Sequence, residues 1–503
     1  MNAIVLFLKK KCLFLSIVNI VLLSACILIG CKSKQETNVP KSIDELSGSK
    51  VAVLLGSTQD INISVQNPEC EMMRMNSIPE QLAAVEKGLS DFAIMDSAAI
   101  IGSNLVRRGM QVDFCLDDYL PIASAFLFEE TDLCKQYNDY LAEINKNGLN
   151  NEMRKRWMTD NALTTSMPKI DLPTSGDPVR IGMINSNFPL SFIQNGEWAG
   201  YEIELMYRFS AYIGRPIEIN AYDFNALLPA LSIGKIDMIT SFLGITEERQ
   251  KSVLFSDPYY QSGSVCVGRS AESNAKDDNS IWNNIKKGFQ NNIIAEKRWK
   301  LILDGLWETV FISIFAILLG TIIGCMICAL RMSRRKFCRN IAIGYVEILR
   351  GIPILVFLMG MFYIVFASTR VTATWVAIFA FAMNFGAYVS EMFRTGIEGV
   401  DRGQVEAGRA LGFSKSSSFI NFVLPQALRS VFPVFKGEAI SLIKNTSVVG
   451  YIAIQDLTKA SDIIRSRTFD AFFPLIIITI LYFILAWLLG VGLDYLNKKT
   501  TRQ

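Results

Sequence analysis

Five apolar stretches dominate the C-terminal part of this chain, at about residues 303–330, 341–367, 373–393, 431–454 and 471–493. A bilayer crossing needs roughly 20 apolar residues, and a backbone in hydrocarbon must satisfy its own hydrogen bonds, so these stretches predict membrane helices. Between residues 44 and 270 no apolar run is that long. Arg331, Arg334, Arg335 and Lys336 follow the first stretch, and Lys498, Lys499 and Arg502 follow the fifth. Starting outside, five crossings place both clusters on the cytoplasmic side. The fourth stretch carries Lys436, Glu438 and Lys444. Such groups at membrane depth face a bundle interior or a cavity, or else the span is shorter with interfacial ends.

Composition supports a chain that is part soluble, part membrane: 50% of the residues are hydrophobic and 19% charged. A net charge of +3 is too small to argue for a nucleic-acid partner. Histidine is absent, which excludes histidine metal sites, Ser-His-Asp triads and the usual proton shuttle. Cys325 and Cys328 have metal-ligand spacing but lie inside an apolar span, so no metal site is expected.

Residues 1–31 begin with Lys9, Lys10 and Lys11, continue as an apolar run and read as a signal segment. Leu28 to Cys31 resemble a lipobox, as do Leu23 to Cys26; lipidation at Cys31 is expected, with an uncleaved anchor helix as the alternative. Residues 32–43 form a polar linker. In 44–270, apolar strands such as Val51–Leu55 and Asp91–Asp96 alternate with helical stretches such as Glu80–Lys87, an α/β pattern outside the cytoplasm. Residues 271–300 place Trp282, Ile285, Phe289 and Ile293 at helical spacing, predicting an amphipathic linker on the membrane. Its Lys286, Lys287, Lys297, Arg298 and Lys300 conflict with the charge rule for an outer segment.

The loop between the third and fourth spans has its own logic. Asp401 can cap a short helix through Leu411, and Gly412 can supply the left-handed residue that ends it. Glu406, Ala407, Arg409, Gly412, Leu424 and Pro425 reproduce the spacing of a known segment: 401–425 resembles the EAA loop of binding-protein-dependent ABC importers. That resemblance implies docking on a cytoplasmic ATPase. Two positions depart from the pattern, Gly408 where alanine is usual and Phe422 where an aliphatic residue is. Tyr345, Glu347, Arg350, Gly351, Pro353, Ala387, Tyr388, Glu391 and Arg394 add a resemblance to polar-amino-acid permeases of histidine and glutamine type, over 301–497. Gln426, Ala427, Arg429, Lys444, Thr446 and Ser447 extend it. The chain has no GxxxxGK[ST] sequence, so ATP and Mg are expected on a separate partner, with no cofactor here. One permease core is half a transporter, and a homodimer is the simple completion.

The soluble region resembles the polar-amino-acid family of periplasmic binding proteins, with its segments in an unexpected order. Thr246, Glu248, Arg249, Phe255, Ser256, Pro258 and Tyr259 carry a pattern that in the family precedes a strand with a Gly-Ser or Gly-Thr turn. Here that pattern follows Gly56, Ser57 and Thr58. The order predicts one circularly permuted two-lobed domain, pieces 44–166 and 177–270 joined through Thr165–Pro178, with two truncated domains as the alternative. An α-amino acid presents a carboxylate and an ammonium that both need partners when water is excluded. Arg249 can hold the carboxylate by two parallel hydrogen bonds, and Ser57 and Thr58 can add backbone donors. The resemblance implies that Asp96 takes the ammonium and Phe224 stacks on the ligand side chain, and it brings Gly244, Thr246 and Phe192 to the site. Phe242 stands where a small or polar residue is common. The resulting expectation is a multi-pass plasma-membrane importer subunit for polar amino acids, with a ligand-gated receptor or channel as the other reading.

Overall fold

The computed structural model describes residues 39–501 apart from 102, 104, 117, 160–163, 271–285, 287, 368, 370, 469 and 471–472. The signal segment, the lipidation expected at Cys31, and Trp282 and Ile285 lie outside the described residues.

The first soluble segment runs β1 (Lys50–Leu54), α1 (Thr58–Gln66), β2 (Glu71–Met75), α2 (Ile78–Glu86), β3 (Phe92–Asp96), β4 (Met110–Cys115), β5 (Leu120–Ile122) and β6 (Ala125–Phe126). It ends in α3 (Thr131–Lys146) and α4 (Leu149–Trp157). After the proline-containing connection come β7 (Val179–Met183), β8 (Ser186–Asn187), β9 (Ser191–Gln194), β10 (Glu197–Ala199), α5 (Tyr201–Ile213), β11 (Ile217–Ala221) and α6 (Phe224–Ser232). Then follow β12 (Met238–Ile239), α7 (Glu247–Gln250), β13 (Leu254–Phe255), β14 (Tyr260–Ser262) and β15 (Ser264–Arg269).

Two five-stranded sheets result, β11-β7-β12-β6-β13 in the first lobe and β2-β1-β3-β15-β4 in the second. Each takes strands from both segments: β6 pairs with β12 and β13, and β15 lies between β3 and β4. The central strands β1 and β3 read as near-continuous apolar runs because both faces are covered. The core of the first lobe is likewise shared, with Phe126, Tyr137 and Trp157 from one segment against Ile181, Phe209 and Tyr259 from the other. Strands β5 and β14 pair with each other where the chain passes between lobes. Cys115 and Cys134 are unpaired and fall in different lobes, Cys134 buried and Cys115 exposed.

The membrane region contains α8 (Trp299–Arg331), α9 (Lys336–Gly351), α10 (Ile354–Gly360), α11 (Ala373–Glu398), α12 (Arg402–Ala410), α13 (Lys415–Ser418), α14 (Leu424–Asn445), α15 (Leu457–Thr468) and α16 (Phe473–Thr501). Among the described residues three helices, Trp299–Arg331, Ala373–Glu398 and Phe473–Asn497, are long and apolar enough to cross a membrane. The expected second span is not straight: it breaks at Ile352–Pro353, and Lys336–Gly351 meets Ile354–Val365 at 109°. Proline lacks the donor that would carry the helix through this point. The expected fourth span corresponds to α14 and the 3₁₀ turn Thr446–Ile452, whose charged residues keep it below the apolarity of the other three.

Small residues decide how α8 and α11 pack. A Cβ on Gly320 would lie 2.8 Å from the Ala382 carbonyl, and one on Gly324 would lie 2.5 Å from Val389. Where lipid tails are as apolar as leucine, close backbone approach replaces the hydrophobic drive that joins helices in water. The expected amphipathic linker is partly recruited into this body, since Ile293 packs with Leu457, Ile464 and Ile478 rather than facing lipid.

Lobe and permease are in contact. Lys235, after α6, donates to the carbonyls of Phe366 (2.6 Å) and Thr369 (3.0 Å), groups just past the broken span. An apolar cluster runs continuously from Tyr222, Leu227 and Ile236 of the first lobe to Ile312, Phe362 and Val449 of the permease.

Candidate functional site

A cleft between the lobes gathers most of the expected binding residues. Ser57, Thr58, Asp96, Phe224, Gly244 and Arg249 all line it. Arg249 is presented by α7, whose N-cap Thr246 accepts from the Arg249 amide at 3.2 Å. Thr246 therefore aims the arginine and is not itself part of the wall. Arg249 is only 7% exposed. It donates to the Gly244 carbonyl at 2.8 Å and, across the cleft, to the Gly56 carbonyl at 2.9 Å, drawing the lobes together. Its carbon sits 5.6 Å from the centre of the Phe224 ring. Burial pulls its pKa below the ordinary arginine value.

Ser57 is the N-cap of α1, accepting from Asp60 N, and Gly56 adopts φ +74° so that β1 can turn sharply into that helix. Asp96, at the end of β3, accepts from Gln59 Nε2 at 3.0 Å, while Gln59 also donates to Ser264. Burial is the main force on the Asp96 carboxyl and pushes its pKa up to about 6. A buried anion that is this costly to ionise is well prepared to take a cation.

Phe192 is not in the cleft. It is 2% exposed, in the core of the first lobe, with its ring 4.8 Å from Phe188 and 6.0 Å from Trp157. The second aromatic on the wall is Phe242, held at φ 51°. Its amide donates at 2.6 Å to Glu202, a buried carboxyl that also accepts from the Tyr259 hydroxyl and is pushed up to about 7 by burial. Gln59, Asn187, Asp223 and Ser241 also belong to the polar wall. Gln59, Asp223 and Ser241 adjoin recognised positions in the sequence, whereas Asn187 reaches the cleft through the direction of β8. The Asn187 Oδ1 is buried and has no hydrogen-bond partner among the described residues. The cleft is narrow: the centre of a water molecule has about 40 Å³ in which to move.

A second, wider cavity of about 400 Å³ lies in the membrane region. The break at Gly351–Pro353 forms one wall, with Arg350 beside it; Asn384 and Tyr388 of α11 and Glu438 and Asn445 of α14 form the others. Asn384 donates at 2.8 Å to the Leu349 carbonyl, which satisfies a group that the broken helix leaves free. The Arg350 guanidinium lies 5.2 Å from the Tyr388 ring centre. Glu438 thus borders a cavity, one of the two options that the sequence left open.

The loop at 401–425 forms the short helix α12. Asp401 accepts from Gly403 N at 2.9 Å, and Gly412 adopts φ +90° after its end. Glu406, Ala407 and Arg409 are exposed, as is Pro425; Leu424, at the start of α14, is half-buried. Leu411 and Ile420 are 75% and 57% exposed, so an apolar surface accompanies the charges. The two departures noted in this loop are one feature. A Cβ on Gly408 would lie 3.0 Å from the Phe422 ring and 2.9 Å from Ser418 Oγ, so the small residue makes room for the large one.

A two-lobed solute cleft, joined in one chain to a bundle with a polar membrane cavity, defines a solute-binding domain fused to a transport permease. Residues 316–502 match the family described as binding-protein-dependent transport system inner membrane component, and residues 179–305 match bacterial extracellular solute-binding proteins, family 3. The chain belongs to the first of these families. It is 33% identical over 200 residues to a Rickettsia typhi protein whose name assigns it to a glutamine transport system as permease, covering 39% of this chain and 92% of that protein. It is 30% identical over 214 residues to the L-cystine transport system permease protein of Bacillus subtilis, covering 42% of this chain and 91% of the relative. A crystallised amino acid ABC transporter with histidines is 30% identical, covering 44% of this chain and 99% of the other, with a TM-score of 0.38.

Proposed function

We propose that this chain is the fused binding and permease subunit of an ATP-driven importer for polar amino acids of glutamine, glutamate or histidine type. One observation carries the reading: Arg249 and Asp96, on opposite lobes, face a common cleft lined by Phe224. That arrangement suits a carboxylate and an ammonium joined through one carbon, and closing the lobes brings both partners to the same solute. Gly244 and the Ser57–Thr58 turn add backbone groups. The names of the relatives supply the substrate class. Strands from both segments in each sheet support reading residues 44–270 as one permuted domain.

After release, the solute passes through the cavity between α9, α11 and α14, where Arg350 and Glu438 again offer one charge of each sign. The exposed face of α12 docks on a cytoplasmic ATPase, which holds ATP and Mg, and a second copy of the chain completes the pathway in the plasma membrane. The test is binding of L-glutamine, L-glutamate and L-histidine to the full chain in nanodiscs by calorimetry. Saturable binding of at least one, lost in Arg249→Ala, is expected; binding of none overturns the substrate class.

A further inference from the structure

Helix α15 belongs to the permease but lies across the mouth of the solute cleft. It packs against β8 and β9 of the first lobe and α2 of the second. Ser186 and Asn187 of β8 and Ile78 of α2 are themselves cleft-lining residues. Its charges reach both lobes: the Lys459 ammonium pairs with Asp223 on the cleft wall, and the Arg465 guanidinium lies 3.4 Å from Glu80 of α2. Asp462, between them, accepts from Arg465 at 3.0 Å. Asp223 stands at the N-cap of α6, yet its side chain takes no hydrogen bond from that helix. Its carboxylate is turned to α15 instead. The side chains of Lys459 and Arg465 are only 11% and 14% exposed, so these pairs are screened less than surface ones.

The helix is fixed at its other end. Asp456 caps it by accepting from Lys459 N at 2.9 Å, and Tyr482 of α16 donates to the same carboxylate at 3.1 Å. Gly305 of α8 approaches so closely that a Cβ there would lie 2.6 Å from the Asp456 carbonyl. Lys459 and Arg465 are six residues apart on one helix, a spacing of about 9 Å that a rigid helix keeps. Parting the lobes separates Asp223 from Glu80, so both pairs cannot survive an open cleft.

We propose that α15 is a two-point latch through which the permease core holds its own chain's cleft shut, the pairs Lys459–Asp223 and Arg465–Glu80 coexisting only in the closed form. A movement of α8 and α16 that carries α15 away frees the lobes directly above the membrane region. Both lobes are held by one permease core, so each copy of the chain controls its own cleft. The proposal rests on reading the cleft as the solute site.

The test uses the full chain in nanodiscs, without solute, and follows hydrogen–deuterium exchange at the cleft-wall segments 76–78 and 184–187. Lys459→Gln and Arg465→Gln are each expected to speed exchange there several-fold. Lys459→Asp combined with Asp223→Lys restores the pair in reverse and is expected to return exchange toward the parent rate. Parent-like exchange in both single variants, or no recovery in the reversed pair, overturns the latch. A second arm measures dissociation of labelled L-glutamine from the same proteins. Faster dissociation in the single variants supports the latch, and equal rates in all overturn it. If the parent chain binds no glutamine while exchange responds as expected, the latch stands and the substrate reading falls.

Discussion

The cleft and the membrane cavity hold similar charges under different constraint. In the cleft, Arg249 is tied to two backbone carbonyls and Asp96 to Gln59, where the centre of a water molecule has about 40 Å³ in which to move. In the membrane, Arg350 is exposed and rests on one aromatic ring, with Glu438 half-buried across about 400 Å³. Groups held in place before a ligand arrives cost little ordering on binding and favour tight, selective capture. A wide site with looser groups favours release. The two regions thus suit the two halves of import, capture and passage.

The comparison can be broken first at the cleft. Arg249→Ala should remove the carboxylate partner and weaken amino-acid binding by about 2–5 kcal/mol, measured by calorimetry on the full chain. A loss below tenfold would deny the cleft its leading role. Glu406→Lys, remote from both cavities, should leave binding intact while abolishing amino-acid-stimulated ATP hydrolysis by the reconstituted assembly; retained stimulation would remove α12 from the coupling. Glu438→Gln should cut uptake into proteoliposomes by more than tenfold with calorimetric affinity unchanged, and an equal fall in both would merge the two sites.

A finer probe is pH. The Asp96 carboxyl in the cleft is held up at about 6 by burial, and only its ionised form pairs with an ammonium. Affinity should therefore be flat above pH 6 and fall below it by at most about tenfold per pH unit, a dependence that Asp96→Asn abolishes. The smallest effect concerns the coupling loop. Gly408→Ala should reduce stimulated ATP hydrolysis several-fold by pressing on Phe422, and Gly408→Ala with Phe422→Ile should recover it. Without recovery, the contact between the two residues does not explain the departure from the loop pattern.

What could be read from the residues alone was whatever depends on near neighbours in the chain. Apolar runs mark helices that cross lipid because the period and length are local properties. The cap at Asp401 and the left-handed Gly412 involve residues a few positions apart. Arg249 could be singled out because the pattern that carries it, from Thr246 to Tyr259, lies in one short stretch of chain. Phe192 shows the limit: one aromatic among several, it was assigned to the cleft, but the direction of β9 sends it into the core. Phe242, which stands where a small or polar residue is common, takes the wall instead, held there at φ 51°.

Sequence by itself determined that an α/β solute-binding region is followed by membrane helices and a capped, charged loop, because helix period, strand alternation and capping act over short separations. Only the tertiary structure decided that both segments share each sheet, that the second span breaks at Pro353, that Gly408 answers Phe422, and that Lys459 meets Asp223. Those outcomes depend on which distant surfaces come together. Packing and charge pairing are set by positions in space, which separation along the chain does not record.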